Sequence, residues 1–421
     1  MIRPSAFTLL FLIALGSFAR QQCTIKGEII DRNSKVLLIH KYSEGYNSFK
    51  NNHTKISIKK GKFEYTFSFT ELEAYELIFE DEAKQGTWRA ITFFPTNGTI
   101  EFKLHPKDQW MLNTIIGGQL NDELKAYHHY MSQRFDKPKN KLSKIEADLV
   151  EKNEYNSAAF EELRQRLKAT NDSNDEAKAL IYQEIDELQK THARYTEKAK
   201  RLFVDPYDSL QRVEHLTKYE YIKSHISLAT YYLIWKDADM LMKSNPLVAQ
   251  LITHVFPLYQ KTYPEHIYTK LLERQVTGLR TIQVGSRYID FKAPGVDGDS
   301  VQLSGVIQNH VALLDFWGSW CGPCIAKSRM VVPIYEQYKD KGFKIVGIAR
   351  EFKNTDAVKK RLSKENFSWL NLVELDDKLN LWNTYGISNG TGLMILVDKD
   401  GTILSLDPKP EELEKILAEK L

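Results

Sequence analysis

The chain has 421 residues, room for two to four domains at roughly 100–200 residues each. Lys and Arg number 58 against 55 Asp and Glu, a formal net charge of +3. This excludes a strongly basic nucleic-acid footprint and an acidic solvating tail, so no nucleic-acid partner is expected. Three cysteines, Cys23, Cys321 and Cys324, cannot build a disulfide scaffold; they leave one pair at most and a spare.

Residues 1–19 read as a secretory signal: Arg3 is the positive start, Ala6 to Ala19 the apolar run, and Ser17 and Ala19 the small residues before a cleavage point. The run is short of the roughly 20 apolar residues that span a bilayer. The expectation is export, with an uncleaved anchor as the membrane-associated alternative. Lipid attachment at Cys23 is disfavoured, because Arg20, Gln21 and Gln22 precede it instead of small residues.

Residues 20–118 carry strand patterns. Ile25, Gly27 and Ile29 share one parity, Val36 to Ile39 form a short apolar run, and Lys60-Gly61 signals a turn after Ile56 and Ile58. Phe63, Tyr65, Phe67 and Phe69 alternate with polar or small residues, the period of a half-buried strand. Tyr75 to Phe79, Trp88 to Phe94 and Thr99 to Leu104 add three more, with Asn97-Gly98 as a turn. The expectation is an antiparallel β sandwich or barrel.

Residues 119–283 form the second region, and from 119 to 277 it contains no glycine. Ala177, Ile181, Ile185, Leu188, Tyr195, Ala199 and Leu202 predict one long amphipathic helix, capped by Asn174 or Asp175 and stopped by Pro206. Leu216, Tyr219, Ile222, Ile226 and Tyr231 predict another. The region is expected to be all-α, with five to seven helices.

Residues 284–421 follow an α/β plan. Val311 to Phe316 is an apolar run broken only by Asp315, which predicts a buried strand. Helix 326–341, strand 343–349, helix 355–366, a hairpin over 393–406 with its turn at Asp398 to Gly401, and helix 411–420 follow. The turn lacks the closing Glu of a calcium loop.

Between the first strand and helix stands Trp320-Cys321-Gly322-Pro323-Cys324. Two thiols with two residues between them meet when the first turn of a helix joins them. The unpaired N–H groups there favour an anion, so Cys321 is expected to be the thiolate nucleophile and Cys324, one turn in and more buried, the resolving thiol. Pro323 suits an early helical position. A structural zinc site needs four ligands, and no further pair has ligand spacing, so no metal or cofactor is expected; metal capture at the pair stays as an alternative. Gly318 stands where a peroxidase of related fold would need Thr.

The stretch Leu314 to Cys324 resembles the active-site strand and turn of thioredoxins. Val284 to Ser304, with Tyr385-Gly386-Ile387 and Leu396 to Gly401, is similar to TlpA-like exported disulfide reductases. Together they cover roughly residues 284–421, and a thioredoxin-like fold is what the resemblance implies. Gly117-Gly118-Gln119-Leu120-Asn121-Asp122-Glu123 resembles the end of a domain often fused ahead of such modules. The resemblance further implies that Asp315 moves the proton of Cys324, and that Trp320, Gly322, Pro323, Thr391 and Gly392 meet the partner. It implies disulfide-bonded envelope proteins as substrates and a membrane electron donor that re-reduces the pair in the periplasm or cell envelope. The sequence departs from the family at three places: Gly392 stands where the family has a cis-proline, Arg329 where proline is frequent, and Lys327 where an acid is common. A binding module without redox turnover is the rival expectation.

Overall fold

The computed structural model describes residues 21–44, 53–171, 175–387 and 391–421. The expected signal at 1–19, the cap Asn174, and Ser388, Asn389 and Gly390 lie outside the described residues. The chain divides into two compact units. One holds the described residues of 1–39 and 54–122, the other those of 40–53 and 123–421.

The first unit is built on β1 (Gln21–Ile29), β2 (Val36–Lys41), β3 (Thr54–Ser57), β4 (Lys62–Phe69), β5 (Tyr75–Phe79), β6 (Ile91–Phe93), β7 (Gly98–Leu104) and β8 (Thr114–Ile116). They form two four-stranded sheets, ordered β4-β1-β7-β8 and β3-β2-β5-β6. Ile25 and Ile100 from one sheet and Leu37, Leu77 and Phe93 from the other share a core, which makes a sandwich. The expected all-antiparallel pairing does not hold. β1 is antiparallel to β4, with Ile25 opposite Tyr65, but parallel to β7, with Ile25 opposite Ile100. Parallel neighbours need a crossover, and β5 and β6 of the other sheet lie along it. The Gly117-Gly118 pair takes positive φ of 113° and 85°, and Asn121 then closes both main-chain groups of Phe94, accepting from its N–H at 2.7 Å and donating to its carbonyl at 2.9 Å.

Seven helices follow among the described residues, the first beginning at the end of the first unit: α1 (Gln119–Glu151), α2 (Ala158–Ala169), α3 (Asp175–Lys190), α4 (197–224), α5 (Leu228–Met240), α6 (Pro246–Thr262) and α7 (Ile267–Thr281). The single helix expected over 177–202 is broken. α3 ends at Lys190, His192 takes φ 55°, and the Thr196 hydroxyl caps a new start by accepting from the Ala199 N–H. Nor does Pro206 stop a helix. α4 runs through Glu197–Ala199, a π-helical turn at Lys200–Val204, and Asp205–Ser224. Pro206 sits in the first turn of that last segment, and the wider turn before it accommodates the missing N–H. The second predicted stripe is split by a capping box between Ser227 and Thr230.

The remaining elements are β9 (Lys292–Pro294), β10 (Ser300–Gln302), α8 (Leu303–Ile307), β11 (Val311–Trp317), α9 (Gly322–Tyr338), β12 (Phe343–Glu351), α10 (Asp356–Glu365), β13 (Leu370–Leu375), α11 (Leu381–Thr384), β14 (Leu393–Val397), β15 (Ile403–Leu406) and α12 (Pro410–Lys420). One five-stranded sheet is ordered β13-β12-β11-β14-β15, parallel across the first three and antiparallel beyond. The period of two divides β11. Val311, Leu313 and Trp317 pack with α9 and α12; Ala312, Leu314 and Phe316 pack on the other face with α8 and α11. Asp315 therefore shares the α9 face. α7 docks on the same unit where glycine returns. A Cβ at Gly278 would lie 2.6 Å from the Thr384 carbonyl, and Gln275 donates to Asn383 at 3.0 Å.

Candidate active site

β11 is buried along its whole length and delivers the chain into a tight turn, closed by the Cys321 N–H bonding the Gly318 carbonyl at 2.9 Å. Cys321 caps α9: its sulfur accepts from the Cys324 N–H at 3.3 Å, with Pro323 in the first turn. Cys321 and Cys324 form a disulfide with Cα atoms 5.3 Å apart. The expectation that Cys324 is the more buried thiol does not hold, since Cys321 is 5% and Cys324 8% exposed. A bonded pair is enclosed as one object. Gly322 and Pro323 between them are exposed, and the space above Gly322 is open.

Asp315 lies behind the pair, 2% exposed, with Ser328 Oγ at 2.6 Å from its Oδ2. The same hydroxyl is 3.1 Å from the Cys324 carbonyl. Burial pushes the carboxyl up to about 7; Ser328 and Lys327 oppose the rise and Asp407 adds to it. Lys327 pairs with Asp407 at 3.4 Å, and Arg329 grips Glu365 through two bonds of 2.5 and 2.7 Å. Two of the departures from the family pattern thus have charged partners of their own.

The third departure has a steric reason. Gly392 presses against β11: a Cβ there would lie 2.0 Å from the Phe316 carbonyl and 2.9 Å from the Cys324 sulfur. This backbone has no room for proline or any other side chain. The preceding carbonyl, of exposed Thr391, accepts from Trp382 Nε1 at 2.9 Å, which anchors the strip facing the disulfide.

Trp320 is 40% exposed and turns back over Gly318. Its Nε1 donates to the Arg350 carbonyl at 3.0 Å and its ring stacks on Phe352. Beside it, buried Glu351 accepts from both the N–H and the hydroxyl of Ser319 at 2.8 Å. Burial raises the proton affinity of Glu351, and the Ser319 bonds oppose that. Sequence reasoning missed Ser328 and Glu351. Ser328 was findable, four residues after Cys324 and so on its helix face. Glu351 meets the turn only because β11 and β12 are neighbours, which no local pattern shows.

Cys23 is apart from all this. It is buried in the sandwich core, unpaired, and burial pushes its thiol up. Among the described residues no helix is long and apolar enough to cross a membrane.

The Redoxin family model matches residues 283–421, and a domain of unknown function, DUF4369, matches 23–124. Thiol-disulfide oxidoreductase ResA of Bacillus anthracis is 29% identical over 124 residues, 29% of this chain and 68% of that protein. ResA of Oceanobacillus iheyensis is 35% identical over 71 residues, 16% of this chain and 36% of that protein. Among solved structures, the thioredoxin domain of a thiol-disulfide oxidoreductase from Bacteroides vulgatus is 26% identical, covering 33% of this chain and 97% of that one, with TM-score 0.30.

Proposed function

The chain belongs, through its C-terminal third, to the thioredoxin-family thiol-disulfide oxidoreductases, and from that premise we propose that it is exported and reduces disulfides of cell-envelope proteins through Cys321 and Cys324. The observation that carries the reading is the pair itself, closed at the N-terminus of α9 with a buried carboxyl behind it.

In the reduced protein the Cys321 thiolate attacks one sulfur of the substrate disulfide. A mixed disulfide forms and the other substrate sulfur leaves as a thiolate that takes up a proton. Cys324 then gives its proton to Asp315 and attacks Cys321, closing the protein disulfide and releasing the second substrate thiol. Two electrons pass to the substrate. With a proton affinity near neutrality, Asp315 suits both taking that proton and returning it. Exposed Gly322 and Pro323, with Trp320 and the Thr391–Gly392 strip, supply the surface that meets the substrate chain. A membrane electron donor restores the dithiol.

The test is reduction of insulin by the reduced full chain. Cys321→Ser should fall to the uncatalysed rate, and Cys324→Ser should accumulate mixed disulfides. A Cys321→Ser variant as active as the parent overturns the reading.

A further inference from the structure

The turn that presents Cys321 and the strip that faces Cys324 are separated by about seventy residues of chain, yet both lean on the end of β12: the turn on Arg350 and Glu351, the strip, through Trp382, on Arg350. Glu351 holds Ser319 by two bonds of 2.8 Å, and the Arg350 carbonyl takes the Trp320 indole N–H. Three hydrogen bonds thus fix the two residues immediately before Cys321. On the other side, the Arg350 guanidinium lies 5.4 Å from the ring centre of Trp382, the residue whose Nε1 anchors Thr391. Asp377 orients that guanidinium through two bonds of 2.7 Å. Both side chains are buried, so these are interactions with water largely excluded.

We propose that Glu351, with Arg350, is a positioning residue for disulfide exchange: it sets the Ser319–Trp320 turn and so the direction in which the Cys321 sulfur meets an incoming disulfide. What it adds is a carboxylate reaching both donors of Ser319. Together with the Trp320 indole bond to the Arg350 carbonyl, this grip on Ser319 anchors the turn. The proposal rests on Cys321 being the attacking thiol in the reading above.

Exchange rates depend steeply on alignment, and a displacement near 1 Å can cost on the order of a hundredfold. The experiment uses the full oxidised chain and two readouts. One is the rate at which dithiothreitol opens Cys321–Cys324; the other is its equilibrium with a glutathione buffer. Glu351→Ala should slow the opening by about tenfold and shift the equilibrium several-fold. Glu351→Gln keeps an oxygen for the Ser319 N–H and should stay within about twofold. Ser319→Ala, losing one bond of two, should fall between them. A Glu351→Ala variant within twofold of the parent in both readouts overturns the proposal, as do equal losses in the Ala and Gln variants. Should Glu351→Ala fail to fold, parent-like behaviour of Ser319→Ala overturns it alone. Neither readout requires a protein substrate. Loss of insulin reduction in the parent would therefore sink the functional reading while leaving this measurement intact.

Discussion

Asp315 is the residue on which stability and chemistry pull in opposite directions. Its carboxyl is held at about 7 against an ordinary 3.8, so the folded chain binds this proton more tightly than the unfolded chain. Stability therefore falls as pH rises through the window from about 4 to about 7, and the loss is complete above it. Asp315→Asn should raise the Tm of the oxidised protein relative to the parent at pH 8, and much less at pH 5. A thermal scan at the two values checks this, and an equal gain at both would contradict the assignment. The same substitution should prolong the mixed disulfide, slowing its resolution by about a hundredfold. In the parent that step should quicken as pH rises through about 7, as Asp315 becomes able to accept the proton.

Elements whose signal is local were legible, and those set by distant partners were not. β5 and β14 could be bounded from their apolar runs; α9 was expected over 326–341 but starts at Gly322, where the spacing of its two thiols and Pro323 signals a first turn. β13 was missed because Asn371 and Glu374 interrupt its apolar run. Both are buried by tertiary hydrogen bonds: Trp317 donates to Asn371, and the N–H groups of Leu379 and Leu381 to Glu374. The helix expected over 177–202 was misread because its stripe continues in phase across a break that Thr196 and Tyr195 impose. The parallel pairing of β1 with β7 was invisible, since alternation fixes a face and not a neighbour. At the site, the paired thiols could be read directly and Asp315 through the family resemblance, whereas Glu351 needed the strand order. α7 offers a test at this scale. The Cβ in Gly278→Val meets main-chain oxygen and nitrogen of residues 383–386 that cannot rotate away. It should cost about 1–3 kcal/mol in urea unfolding, with slower disulfide exchange, because α11 carries Trp382 and Trp382 anchors Thr391. Unchanged stability would show that the helix does not brace this part of the redox site.

Across the molecule, three thiols are divided between two different kinds of environment. Cys321 and Cys324 sit at the surface end of a sheet, under open Gly322, whereas Cys23 lies between the two sheets of the sandwich with its proton held tightly. A thiol that is both buried and protonated reacts poorly. Brief treatment of the native chain with an alkylating reagent should add no group when oxidised and one, at Cys321, when reduced; unfolding the reduced chain should add the other two. Intact mass resolves these states, and rapid labelling of Cys23 in the native chain would contradict its placement. The protein thereby carries a spectator thiol distinct from the pair proposed to carry out exchange. Cys23 reports whether the sandwich is shut and Cys321 reports where the electrons are, so folding and redox state can be read separately from a single labelled sample. It also means that a wrong disulfide through Cys23 can form only before the sandwich closes, which makes the order of folding and oxidation part of how the correct pair is chosen.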